Sequence, residues 1–217
     1  MKNLFLILSD IHMRENQIIN KIYVDNIYNV LTTLGEIDNA CIIVAGDLAN
    51  TGSRNEYKKV GNLFGLISNQ IKKKLGREVI IPYYIVPGNH DIDFKGESRD
   101  RVNVKELHNN GTIDNEIESE LNKFEAFYEL ADKNRCFVQD KLFNFRCFCT
   151  NGINTQINLL NSELFSTYRD KNGDDDKGVH YFPESSISKI KKKNWANYTI
   201  TVMHRSPEWF SWQSSQN

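Results

Sequence analysis

A chain of 217 residues is long enough to bury one sizeable core, and its 27 basic against 28 acidic side chains leave a formal charge of −1. Hydrophobic residues make up 40% and charged residues 25%, which excludes a disordered chain, and the near-neutral balance gives no reason to expect a polyanionic partner. No apolar stretch approaches the roughly 18 residues of a membrane helix, and the run Leu4 to Leu8 leads into Asp10 and His12 rather than a signal-peptide cleavage site. One cytoplasmic domain spanning 1–217 is the expectation.

In chain order, β-branched and aromatic runs bounded by Gly, Asn and Asp predict strands over 3–8, 41–45 and 80–86. Between them, apolar residues recur at a period near 3.6 over 18–34, through Ile19, Ile22, Tyr23, Ile27, Val30, Leu31 and Leu34, and over 57–75, through Val60, Leu63, Phe64, Ile67 and Ile71. Strand, helix, strand, helix, strand reads as parallel βαβ units, an α/β opening. From Asp93 to Asn115 the chain is polar and strand-free, and a helix follows over 116–132, so 93–135 reads as a polar and helical insertion beside the site.

Close-spaced strands are then expected at 136–139 and 142–150, joined by Asp140 and Lys141 as a hairpin turn, with further strands at 154–160 and 198–203. The loop 169–178, with Asp174, Asp175 and Asp176 in a row, lacks the ligand spacing of a calcium loop and reads as solvated. Cys41, Cys147 and Cys149 lie in apolar or alternating stretches, and these thiols are expected to be buried as small hydrophobes.

Four of the apolar runs end in polar groups of one kind: Ser-Asp10-Ile-His12, Ala-Gly46-Asp47, Pro-Gly88-Asn89-His90-Asp91 and Val-Met-His204. In open α/β sheets such side chains converge at the carboxyl ends of the strands. Asp10 and His12, two apart on an extended segment, would project to one side and grip one cation. Gly46 and Gly88 allow tight turns and close backbone approach. Carboxylate, imidazole and amide oxygen form a borderline-hard set suited to Mn, Fe, Zn, Co or Ni. Two such cations about 3.5 to 4 Å apart clamp the attacking and leaving oxygens of an in-line displacement at phosphorus. Asp47 is the candidate for the carboxylate that bridges them.

The order D-x-H, G-D, G-N-H-D and a strand-terminal His followed by Pro207 resembles the calcineurin-like metallophosphoesterase family over Asp10 to Pro207. The resemblance implies a layered αββα sandwich of mixed sheets flanked by helices, and a two-metal phosphate-ester hydrolase. It implies that Asp10, His12 and Asp47 hold one metal and that Asp47, Asn89 and His204 hold the other. His90 would protonate the leaving group from outside the metal shell, and Asp91 would orient its ring. An imidazole suits that task because its pKa lies near neutrality.

The family's closing G-H-x-H motif is not found in these residues, so the fold is expected to be incomplete at the C-terminus, with a further C-terminal region or dimerisation through a stranded sheet edge. Arg99 and Arg101 in the insertion are candidates for holding a phosphate or a nucleotide. The first-choice substrate is a small phosphodiester of nucleotide type. Nucleic acid comes second, since the only basic runs, Lys72 to Lys74 and Lys189 to Lys193, sit at expected helix ends. From another class, the same chain reads as a catalytically impaired module that binds a ligand or partner.

Overall fold

The computed structural model describes residues 2–19, 21–93, 102–136, 138–167 and 180–210. Arg99, Arg101 and the loop 169–178 lie outside them. The first half forms β1 (Asn3–Leu8), α1 (Lys21–Thr33), β2 (Asn39–Ala45), α2 (Arg54–Leu75) and β3 (Tyr83–Val86). These strands make one parallel sheet in the order β1-β2-β3. The central β2 is an uninterrupted apolar run, Cys41 to Val44, buried on both faces as parallel strands require.

The long helix α2 covers one face of this sheet because its apolar stripe, Val60, Leu63, Phe64, Ile67 and Ile71, is wholly buried. Phe64 stacks on Tyr83 of β3 at 4.5 Å. A capping box between Ser53 and Glu56 starts the helix, and Gly76, at φ 64°, ends it in the left-handed conformation that glycine adopts without strain.

The expected helix over 116–132 is two helices, α4 (Ile113–Asn122) and α5 (Glu125–Lys133), broken at Lys123 and Phe124, and a shorter α3 (Val104–Asn109) precedes them. Phe124 and Phe127 are fully buried, so packing around two aromatic anchors, not continued periodicity, sets the break. The helix α5 docks on α2 through Tyr57 and Phe127 and carries Glu125 and Glu129 to Arg54.

A second sheet has the order β4-β5-β6, with β4 (Phe143–Thr150) antiparallel to β5 (Ile153–Leu160) and β6 (Tyr198–Val202) parallel to β5. The expected hairpin is corrected here: the described residues of 136–139 are not strand, and the hairpin partner of β4 is β5. Asn151 and Gly152, at φ 50° and 80°, form the turn, matching the positive dihedrals a two-residue hairpin loop needs. Asp140 does make a turn, but its Oδ1 accepts the Leu142 N–H to start β4.

The two sheets face each other, with Phe5 of β1 edge-on to Phe148 of β4 at 5.4 Å and the Asn3 Nδ2 donating to Thr150 Oγ1 at 2.7 Å. A short helical segment, α6 (Glu184–Ile187) and the 3-10 turn Ser188–Ile190, covers the far side of the second sheet, where Phe143, Leu160, Phe182 and Phe210 cluster. The fold is thus mixed α/β, two three-stranded sheets flanked by helices. Cys147 and Cys149 are exposed, contrary to expectation, since the two-residue repeat of β4 places them with exposed Phe145 and opposite to buried Phe148. Among the described residues no helix is long and apolar enough to cross a membrane.

Candidate metal centre

The loops after β1 and β2 continue the parallel ladder past the strand ends. Asp10 N–H donates to Gly46 O at 3.2 Å, His12 N–H to Asp47 O at 2.9 Å and Met13 N–H to Leu48 O at 2.9 Å. Asp10 and His12 do not converge by lying on an extended segment, as their spacing suggests. Asp10, His12 and Asp47 all sit at positive φ, 53°, 46° and 54°. For residues with a Cβ this costs on the order of 1–2 kcal/mol each, and such strain concentrates where side-chain aim matters more than local comfort.

That aim brings His12 Nε2 to 3.5 Å from Asp47 Oδ2 and 3.9 Å from Asp10 Oδ1. From the other sheet, His204, just past β6, brings its Nε2 to 3.5 Å from the same Asp47 Oδ2. One carboxylate oxygen therefore stands between two imidazoles delivered by separate sheets. The remaining Asp47 Oδ1 accepts the His90 N–H at 3.0 Å. Close approach here demands glycine: a Cβ at Gly46 would lie 2.5 Å from His204 Nδ1, and one at Gly88 would overlap the Asp47 carboxylate.

The tautomer of His204 is set by its surroundings. Its Nδ1 lies 2.9 Å from Ala45 O, a pure acceptor, so Nδ1 carries a proton and Nε2 is the ring nitrogen turned to Asp47. Burial alone would lower the His204 pKa, but the negative charges of Glu163 and Asp47, with the Ala45 carbonyl, outweigh it and raise the pKa above its ordinary value.

Among the described residues, ligand-type atoms fall into two groups that share Asp47, namely Asp10, Asp47 and His204, and His12, Asp47 and His90. This divides the side chains differently from the expected partition, yet Asp47 is common to both in either case. His90 stands T-shaped to His12 with ring centroids 4.5 Å apart, nearer the ligand cluster than a residue outside the metal shell was expected to be. Asn89, first residue of the 3-10 turn Asn89–Asp91, accepts a hydrogen bond from Arg205 Nη2 at 2.9 Å on its Oδ1.

The expected role of Asp91 is revised by its contacts. Its two oxygens accept the N–H groups of Leu48, Ala49 and Gly88 and the Tyr57 hydroxyl, at 2.8 to 3.2 Å, which ties the β2 loop, the β3 loop and α2 together. Burial pushes its pKa up to about 6 against the pull of the Ala49 and Gly88 amides. His90 Nδ1 instead meets Asn50 O at 2.9 Å, and because a carbonyl only accepts, that contact orients the ring with Nδ1 protonated.

Behind His204 lies a polar group that sequence reasoning did not single out. Glu163 is wholly buried, with Ser162 Oγ donating to Oε1 at 2.7 Å and Ser166 Oγ to Oε2 at 2.8 Å. Ser162 Oγ in turn accepts the backbone N–H of His204 and Arg205. The sequence marks it weakly, because β5 mixes polar residues such as Gln156 and Asn158 with apolar ones before Asn161-Ser162-Glu163. His180 is fully buried, with its Nδ1 2.9 Å from Ser162 O.

Comparison with curated proteins gives no significant match. The model of the family described as calcineurin-like phosphoesterase matches residues 4–217, and the chain belongs to that family.

Proposed function

We propose that this chain is a dinuclear metal-dependent phosphohydrolase acting on a small phosphodiester of nucleotide type. The calcineurin-like phosphoesterase family makes the coarser statement plain, a metal-dependent phosphoester hydrolase. The observation that carries the finer reading is Asp47 Oδ2, 3.5 Å from both His12 Nε2 and His204 Nε2. A carboxylate so placed suits a ligand shared by two cations, and the oxygen and imidazole donors fit borderline-hard divalent ions such as Mn. The Nδ1-protonated His204 and three strained ligand backbones support the same fit.

Asp10, His12, Asn89 and His204 would complete the two sets around Asp47. Bound ions would neutralise phosphoryl charge and lower the pKa of coordinated water. His90, its Nδ1–H held by Asn50 O, keeps Nε2 for delivering a proton to the departing oxygen. Asp91 holds the β2 loop, the β3 loop and α2 in register. Arg99 and Arg101 remain proposed phosphate contacts from the insertion.

A small substrate is favoured over nucleic acid because the basic runs are engaged locally. Lys72 pairs with Glu78, Lys74 donates to Leu34 O, Lys189 pairs with Asp140 and Lys192 donates to Asn197 O. The test is Mn titration with an aryl phosphodiester and its monoester as competing substrates. Asp47→Asn should abolish turnover, and His90→Ala should lower it with metal content kept; full activity in either variant rejects the assigned role.

A further inference from the structure

We infer that Arg205 is the residue that grips the non-bridging oxygens of the substrate phosphoryl group, a role that rests on the metal-site reading above. Arg205 directly follows His204, and the backbone N–H groups of both donate to the same Ser162 Oγ, at 3.2 and 3.0 Å. Whatever aims His204 at Asp47 therefore also fixes the origin of the Arg205 side chain.

The guanidinium is held from three directions. Its Cζ lies 4.4 Å over the Trp209 ring, its Nε lies 3.7 Å from Glu163 Oε2, and its Nη2 donates to Asn89 Oδ1 at 2.9 Å. Glu163 supplies opposite charge without accepting a hydrogen bond from Arg205 Nε, which is buried and makes none among the described residues. Stacking likewise uses the face of the group and leaves its edge. Of five guanidinium donors, the contact to Asn89 is the one hydrogen bond among the described residues.

That pattern is wasteful for a structural arginine and apt for a binding one. A buried Nε without a hydrogen-bond partner is costly, and the side chain as a whole is only 22% exposed. A planar fork with donors to spare matches two non-bridging phosphate oxygens, which a point-charge ammonium does not. Its location is right as well, because Asn89 stands in the same Gly-Asn-His-Asp turn as His90 and beside the Asp47 cluster. The rival role, holding the Asn89 amide and nothing more, predicts a different failure.

Calorimetric titration of the whole chain separates the two, first with Mn and then, on the Mn-loaded protein, with inorganic phosphate. For Arg205→Met we expect phosphate affinity to fall roughly 10- to 100-fold, the loss of charge-assisted bonds, with Mn affinity within about threefold of the unaltered protein. Arg205→Lys keeps a charge beside Glu163 and so guards against a folding defect; it should lose phosphate affinity by several-fold while KM for the aryl phosphodiester rises more than kcat falls. Unchanged phosphate affinity in the Lys variant, or Mn affinity falling in step with phosphate affinity in either variant, overturns the proposal. Absence of Mn binding by the unaltered chain overturns the metal-site reading and this inference together.

Discussion

At the residue scale, the site is built by placing groups where ordinary backbone would not put them, and glycine and aspartate carry that burden. A methyl at Gly88 would meet the Asp47 side chain and its backbone N, so Gly88→Ala should cost about 1–3 kcal/mol by overpacking and weaken Mn binding with it. Mn affinity equal to that of the unaltered chain would show that Asp47 has room to move and is no tightly seated shared ligand. Asp91 makes a contrasting case. Asparagine would turn an NH2 toward one pair of these donors, Leu48 and Gly88 or Ala49 and Tyr57, leaving buried groups unsatisfied at a cost of roughly 2–3 kcal/mol. Asp91→Asn should therefore lower the melting temperature by roughly 5–10 °C. His90→Ala, whose ring is half-buried, should leave melting nearly unchanged and lower turnover. Equal melting temperatures in the two variants would contradict the division between a loop-locking Asp91 and a proton-handling His90.

At the scale of elements, what was legible followed from period and from strand ends. The three parallel strands and α2 answer to hydrophobic periodicity, whereas α1 forms at its expected place with Leu31 buried but Ile22, Tyr23 and Val30 exposed, and Asp10, His12, Asp47, Asn89 and His204 stand where apolar runs stop. Illegible were features that long-range packing decides. Phe124 and Phe127 break one expected helix into two, and the left-handed φ of Asp10 and His12 replaces the extended aim their spacing suggests. Glu163 escaped notice because a lone carboxylate after a strand has no spacing signature; only its two serine donors and its proximity to His204 give it meaning. The hairpin was misassigned because Asp140-Lys141 competed with Asn151-Gly152, and the stronger turn chemistry won. That last point is measurable. A Cβ at Gly152 meets nothing within 4 Å, so Gly152→Ala tests the positive φ of 80° alone. Stability from denaturant unfolding should fall by about 1–2 kcal/mol with Mn affinity unchanged; no loss would mean the turn tolerates another geometry.

At the scale of the whole molecule, the candidate centre is a junction between the two sheets. Asp10, His12, Asp47 and Asn89 come from loops of the β1-β2-β3 sheet, whereas His204 leaves β6 of the other. Without ions the junction rests on the His204 Nδ1 to Ala45 O bond, on Arg205 to Asn89, and on packing such as Phe5 against Phe148 further along. It also brings carboxylate oxygens of Asp10 and Asp47 within 4.8 Å of each other, so a divalent cation would gain both ligands and relieve like charge. A cation that binds only the folded chain stabilises it by RT ln(1 + [L]/Kd), about 2.7 kcal/mol at a hundredfold excess over Kd. For a chain of this size that raises the melting temperature by roughly 5–10 °C, and a chelator should reverse the rise. Asp47→Asn and His204→Ala should each abolish most of it, the first by removing the shared carboxylate and the second by cutting the ligand from the second sheet. A rise that persists in Asp47→Asn would place the stabilising cation elsewhere on the surface, and the two sheets would then be joined by their packing alone.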